Sequence, residues 1–134
     1  MTLDISTFES AIARLEEGFA RYRLDIADTQ IRDGLVQRFE FTYEIGVKML
    51  KRYLESASAS PGDYKDMPFQ DIIRSANEQG LLLGDWPAWR KYRDMRSRTS
   101  RTYAEDAALE GVKGIPDFLA EAAALRDALR RRLG

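Results

Sequence analysis

The sequence contains no cysteine and no histidine among its 134 residues. The lack of cysteine excludes disulfide bonds, thiolate metal ligands and cysteine nucleophiles, and it suits a reducing compartment. The lack of histidine removes the one side chain that titrates near neutral pH. Acid–base chemistry would therefore have to come from carboxylates, lysines or tyrosines with shifted pKa values, and we predict neither a metal site nor a resident cofactor.

Long apolar runs are missing as well. No segment approaches the roughly 20 apolar residues that span a bilayer, and residues 1–4 lack the basic and apolar segments of a signal peptide. We therefore expect a cytoplasmic protein with no membrane partner. A hydrophobic content of 44% indicates a folded chain, and the length predicts one domain over residues 1–134. Because the net charge is only −1, any attraction for nucleic acid must come from local clusters of charge.

The hydrophobic spacing is helical along almost the whole chain. Apolar residues recur at alternating steps of four and three in a first helix, which Ser6 or Thr7 would cap. A long second helix is predicted at about residues 29–55. It contains Gly34 and Gly46, each of which costs about 1 kcal/mol relative to alanine in a helix interior. Glycine at such positions usually means that another backbone approaches closely.

The second half of the chain predicts further helices. A loop over residues 56–67 leads to a third helix with Pro68 at its first position, and a fourth helix follows. Gly111 and Gly114 are predicted to interrupt the chain before a last helix at about residues 115–132. No strand pattern and no internal repeat is present, so the sequence predicts an all-α, antiparallel four-helix bundle with an additional short helix.

Residues 32–44 of the second helix form the first segment of functional interest. Its aromatic residues Phe39, Phe41 and Tyr43 cannot all lie on one face of a helix. This helix is therefore either central in the bundle or packed against a second subunit. Glu40 and Glu44 lie one turn apart, which fits surface ion pairs, a polar cluster between helices or subunits, or, least well, a pair of metal-binding carboxylates. The candidate interface residues are Arg38, Phe39, Glu40 and Tyr43.

Residues 90–101 form the second segment. Six of these twelve residues are arginine or lysine, and Asp94 is the only acidic one. Arginines mixed with hydroxyl and aromatic side chains suit phosphate or RNA, because a guanidinium binds phosphate bidentately and an aromatic ring can stack on a base. An ordinary solvated basic surface is an equally good interpretation of the composition. The candidate residues for binding phosphate or nucleotide are Arg93, Arg96, Ser97, Ser100 and Arg101.

With these two segments the chain resembles the HEPN superfamily, and in particular its HepT-like group, also described as nucleotidyltransferase substrate-binding proteins. The resemblance covers essentially the whole chain. In that family the second segment carries an arginine, four to six residues, a histidine and then commonly a tyrosine two residues later. On this pattern Arg96 occupies the arginine position, Arg101 the histidine position and Tyr103 the tyrosine position.

The resemblance implies a helical bundle that forms a homodimer in which both copies of the motif face one cleft. Active members of the family are metal-independent ribonucleases that act as toxins. Their partner is a separately encoded minimal nucleotidyltransferase, which in some systems silences the toxin by adding AMP to the motif tyrosine. Tyr103 is therefore the candidate AMP acceptor, and the two motif positions Arg96 and Arg101 are the candidates for a degenerate catalytic pair.

The departure at position 101 changes the expected chemistry. Metal-free RNA cleavage needs a base for the 2′-hydroxyl, and arginine cannot accept a proton at neutral pH. We therefore predict a partner subunit of a nucleotidyltransferase, in a toxin–antitoxin-type pair, that binds nucleotide or nucleic-acid phosphate and has lost most or all ribonuclease activity. The alternative is a ribonuclease toxin that stays active through another base, such as Tyr103 or Glu105. A third interpretation is a helical adaptor whose basic segment is only surface.

Overall fold

Five α-helices make up most of the structure, a computed structural model that describes residues 3–101 and 104–134. These residues contain no strand, which confirms the predicted all-helical bundle. A short 3-10 helix, Pro61–Tyr64, lies in the connection after the second helix. None of the described helices is long and apolar enough to cross a membrane. The helices are α1 Ser6–Leu24, α2 Thr29–Ala57, α3 Phe69–Glu78, α4 Trp86–Arg101 and α5 Glu105–Leu133.

Helix α2 is central, since it contacts every other helix of the bundle. Phe39 of α2 packs edge-on against Phe118 of α5, with ring centroids 5.0 Å apart. Tyr92 of α4 packs on the same ring at 5.4 Å. The aromatic centre of the core therefore joins α5 to the two helices, α2 and α4, that carry the segments of interest. The largest side chains with less than 2% exposure include Trp89, Phe8, Phe39, Phe118, Ile12 and Leu15.

The two glycines of α2 have different surroundings. A Cβ on Gly46 would lie 3.0 Å from the ring of Phe8 on α1, so glycine here makes room for a side chain and not for the backbone that the sequence predicted. A Cβ on Gly34 would have no neighbour within 4 Å. Nothing in the described part of the chain therefore explains why residue 34 is glycine.

The prediction that Gly111 and Gly114 interrupt the chain is wrong. Helix α5 begins at Glu105 and runs through both glycines and Pro116 without a break. The reason is packing, because a Cβ on Gly111 would lie 2.9 Å from the methyl group of Thr99, and one on Gly114 would lie 2.5 Å from the end of the Met95 side chain. These glycines bring α4 close to α5 instead of ending a helix.

Two predicted helix starts also need correction. Neither Ser6 nor Thr7 caps α1, which begins at Ser6; the carboxylate of Asp4 instead accepts a hydrogen bond from the Ser6 amide at 2.9 Å. Pro68 immediately precedes α3 and is not its first residue. Its carbonyl accepts from the Asp71 amide at 2.9 Å, so proline supplies the first acceptor of the helix. Both differences are one or two residues, the usual uncertainty of a helix end.

Candidate phosphate-binding site

Arg96 is held between α4 and α2 by two glutamates. Its Nε donates to Oε1 of Glu44 at 3.0 Å, and a second guanidinium nitrogen pairs with the same oxygen. Glu40 lies 4.0 Å from the guanidinium, and its other contact is the Thr99 hydroxyl, which donates to it at 2.7 Å. The hydrogen bond that Arg96 donates to Glu44 raises the pKa of the guanidinium, so this side chain stays charged, and the same bond holds it in one direction.

Of the arrangements that the sequence allowed for Glu40 and Glu44, the structure shows contacts between two helices of the same chain. They form a polar cluster between two helices, and no group of three or more metal-binding side chains occurs in the described part of the chain. The side chain of Arg96 is 27% exposed and that of Glu44 is 53% exposed. An anion can therefore reach the edge of the cluster, but it would compete with Glu44 for the guanidinium.

Arg101 lies at the end of α4, in a different environment. It is exposed, and its Nε donates to the carbonyl of Ser97 at 3.2 Å. The hydroxyl of Ser100 donates to the same carbonyl at 3.3 Å. Among residues 3–101 and 104–134, no carboxylate pairs with Arg101. Tyr103, the candidate AMP acceptor, lies outside the residues that the structure describes.

The other arginines of the basic segment divide into two kinds. Arg93 is exposed, and its guanidinium lies over the ring of Trp86, 5.0 Å from the centroid. Its Nε is 4.0 Å from Asp94, at the limit of an ion pair. Arg98 instead pairs with Glu110 of α5 and so helps to join two helices. Arg93 and Arg101 are thus exposed cations, as are Arg90 and Lys91 nearer the start of α4.

The predicted interface residues are not all on the surface. Phe39 has no exposed area and Tyr43 is 8% exposed, so both belong to the chain's own core and have little surface for a partner. Arg38 is exposed, but it donates to the carbonyl of Arg14 at 2.8 Å and holds α1 against α2. Phe41 is the aromatic residue of this segment that faces outward, with 52% exposure.

Burial raises the pKa of Tyr43 to about 12, even though the nearby charges of Arg93 and Arg96 lower it. A raised pKa means that folding favours the neutral phenol. Its contribution to stability is therefore complete below pH 10 and is lost as the pH rises through 12. Between pH 10 and 12 the unaltered chain should lose unfolding free energy as the phenol of Tyr43 ionises. We expect the Tyr43→Phe variant to lose less over this range, by about 2 kcal/mol at most. Urea unfolding at a series of pH values measures this, and an unchanged alkaline slope would contradict it.

Sequence reasoning missed two residues near the site. The Thr99 hydroxyl completes the glutamate–arginine cluster, although its spacing of three from Arg96 was a visible signal. Arg32 is 9% exposed and donates to Glu105 at 3.2 Å, which ties the start of α2 to the start of α5. Glu105 is thus paired with a cation, although its side chain is 73% exposed.

The fold and the site define a class: helical bundles in which one helix presents exposed arginines beside an arginine fixed by glutamates. The chain belongs to the family described as nucleotidyltransferase substrate binding protein like, whose model matches residues 3–131. The chain is also 36% identical to a Haemophilus influenzae protein named probable ribonuclease HepT, over 97% of this chain and 94% of that protein.

Solved structures agree with this assignment. A Haemophilus influenzae protein, described as showing the fold of a substrate binding domain of a nucleotidyltransferase, superposes with a TM-score of 0.88. It is 33% identical, and the match covers 95% of this chain and 99% of that one. A protein from Thermus thermophilus matches with a TM-score of 0.73 and 30% identity, over 92% of this chain and 98% of that one. The resemblance stated from the sequence is thereby confirmed.

Proposed function

We propose that the chain is the partner subunit of a separately encoded minimal nucleotidyltransferase, in a toxin–antitoxin-type pair. As a homodimer in the cytoplasm, it binds nucleotide or nucleic-acid phosphate in a basic cleft and has little or no ribonuclease activity. The family assignment supports the nucleotidyltransferase partner. Tyr103 is the proposed acceptor of AMP from that enzyme.

The observation that carries this proposal is the arginine at position 101. The chain has no histidine anywhere, so no neighbouring imidazole can take over the role of base. Arg101 is exposed and has no carboxylate partner in the described part of the chain. A guanidinium in that state suits binding a phosphate oxygen, but arginine cannot accept a proton at neutral pH.

The contacts of the other arginines support a division of roles. Arg93 and Arg101 are exposed and supply charge for an anion. Arg96 is fixed by Glu44, so it offers a bound phosphate only the N–H groups that Glu44 leaves unused. Fixed donors lower the entropic cost of binding.

Binding to RNA tests this assignment of roles. We expect Arg101→Ala to weaken binding of a fluorescent single-stranded RNA at low salt by about tenfold, since a charge-assisted contact with phosphate is lost. Arg98→Ala is the matched control, because it removes the same charge from the same helix at a residue already paired with Glu110. Equal effects of the two substitutions on fluorescence anisotropy would indicate a general basic surface and would contradict a defined site.

A metal-independent ribonuclease remains the second candidate. It is favoured by the arginine at position 96 and by the likeness to a protein named as a probable ribonuclease. Purified chain incubated with RNA in EDTA distinguishes the two functions. Cleavage that Arg96→Ala abolishes would establish the enzyme, whereas intact RNA supports the binding subunit.

A further inference from the structure

Two aromatic rings and an arginine form a stack near the start of α4. The guanidinium of Arg93 lies over the ring of Trp86, 5.0 Å from its centroid. The ring of Trp86 in turn packs edge-on against Phe69 of α3, with the centroids 5.8 Å apart and the planes at 70°. Both rings are partly buried and pack against the hydrophobic core. Arg93 is therefore supported from beneath by side chains that belong to the folded bundle.

The outer side of Arg93 is open to solvent. Its side chain is 44% exposed, and its ion pair with Asp94 is at the 4.0 Å limit. Asp94 also lines the crevice between α4 and α5, together with Met95 and Glu110. A guanidinium is planar and therefore has two faces. Trp86 covers one face of Arg93, and a ligand can reach the other.

We infer that Arg93 and Trp86 form a stacking site for one unpaired base of a single-stranded nucleic acid. The base lies on the outer face of the guanidinium and adds one layer to the stack of Phe69, Trp86 and Arg93. Bases stack on guanidinium planes as they do on aromatic rings, because both are flat and a cation attracts a π system. The bases of a duplex already stack on one another, so this site selects a single strand.

The rest of the strand follows α4 toward the candidate phosphate-binding site. Arg93, Ser97 and Arg101 are spaced four residues apart, so they lie on successive turns of one side of the helix. Arg93 and Arg101 are about 12 Å apart along the helix axis, at 1.5 Å per residue. Stacked nucleotides rise about 3.4 Å each, so roughly three or four nucleotides cover this span. A mononucleotide is too short to contact both ends.

The inference rests on the proposed function, because it names the class of ligand that the same basic segment binds. Contacts with phosphate position a strand without reading its sequence. Stacking adds affinity and also tolerates any sequence, since every base has a π face. Binding should therefore depend on the number of nucleotides and on the presence of bases, and much less on which bases they are.

Two synthetic RNA tetranucleotides separate stacking from charge. One carries all its bases, and the other has the same sugar–phosphate backbone without bases, so their charges are equal. We expect the unaltered chain to bind the intact strand about tenfold more tightly at low salt, the order of affinity that one stacked base contributes. Equal affinities would overturn the stacking site and leave the phosphate binding of the proposed function standing. Binding of neither strand would overturn both.

A mononucleotide tests the path of the strand along α4. AMP should compete with the labelled intact tetranucleotide only at concentrations about tenfold or more above those of the unlabelled tetranucleotide, because it reaches one end of the span. Competition by AMP at equal concentrations would overturn the path along α4.

Arg93→Lys tests the platform, because it keeps the charge and removes the flat guanidinium. We expect it to weaken binding of the intact strand about fivefold or more and to leave binding of the base-free strand unchanged. Arg90→Lys is the matched control, since Arg90 is also an exposed arginine and lies one turn earlier on α4. Equal effects of the two substitutions on the intact strand, or equal effects of Arg93→Lys on both strands, would overturn the inference.

Tryptophan fluorescence reports where the base binds. The chain has two tryptophans, and Trp89 is only 1% exposed, so a change caused by a bound strand is expected from Trp86. The intact strand should change the emission of the unaltered chain. Trp86→Phe keeps a ring beneath Arg93 and should abolish that change while the strand still binds. An emission that stays constant when the intact strand binds the unaltered chain would overturn the placement of the base at Arg93.

Discussion

Arg101→Ala is expected to weaken binding, but Arg101→His is expected to create activity: RNA cleavage in EDTA should rise by about 100-fold or more above that of the unaltered chain. A histidine at this position supplies the general base that the sequence lacks, and such a base contributes roughly 10²–10⁴-fold. Arg96 is already fixed by Glu44 on the facing helix, so the second half of the motif is in place. Cleavage of a labelled RNA, followed on a denaturing gel, measures the gain.

Two tests distinguish cleavage by the Arg101→His variant from cleavage by a contaminating ribonuclease. An imidazole with a pKa near 6.5 acts as a base only when neutral, so the rate should fall as the pH drops below about 6.5. Arg96→Ala added to Arg101→His should remove the gain, whereas Arg101→Lys alone should produce none. If Arg101→His cleaves no better than the unaltered chain, more than position 101 separates this protein from an active ribonuclease.

Loss of Glu121 is expected to have the largest effect on stability. This carboxylate is 1% exposed, and it accepts hydrogen bonds from the amides of Leu83 and Gly84 at 2.7 and 2.8 Å. Glu121→Ala leaves both amides of the loop before α4 without their acceptor, which should lower the free energy of unfolding by about 3 kcal/mol. A urea titration followed by circular dichroism at 222 nm measures the change.

Two further variants, at Glu121 and at Gly84, show whether the carboxylate itself stabilises the loop. Glu121→Gln keeps the size and one acceptor oxygen, so its loss should be smaller than that of Glu121→Ala. Gly84→Ala should also destabilise the loop, because its Cβ would lie 2.8 Å from both Ala88 and Glu121. If Glu121→Ala costs less than about 0.5 kcal/mol, the range of ordinary surface substitutions, the two hydrogen bonds do not stabilise the loop.

Burial raises the pKa of Glu121, although the two amide hydrogen bonds oppose that shift. A carboxyl group with a raised pKa in the folded state stabilises most at acid pH, and this contribution is lost as the pH rises through the folded pKa. Glu121→Gln cannot titrate. The difference in stability between the unaltered chain and this variant should therefore depend on pH in the acid range only.

The spacing of apolar residues predicted the helices, because a helix that buries one apolar face shows this in its local sequence. It could not predict how α5 begins, since Gly111 and Gly114 break helices in isolation and are tolerated here only because Thr99 and Met95 lie against them. The error at the start of α5 was therefore a matter of tertiary packing, which overrides local propensity.

The basic segment was also visible in the sequence, but the state of each arginine was not. Arg96 and Glu44 are 52 residues apart in the chain, and nothing local shows that they pair. Similarly, alternation alone could not decide that Phe39 is buried and Phe41 exposed, because a central helix has several contacting faces. Composition indicated the candidate site, and only the packing of α2 against α4 showed which of its cations are paired with carboxylates.

The close packing of α4 on α5 has a consequence for recognition. At two positions of the contact, the side chains of Thr99 and Met95 pack directly on glycines of α5, so α4 has little room to shift or tilt. A ligand that reaches Arg93 or Arg101 therefore meets a backbone that is already ordered. Only the rotamers of those long side chains need to be restricted, which keeps the entropy lost on association small.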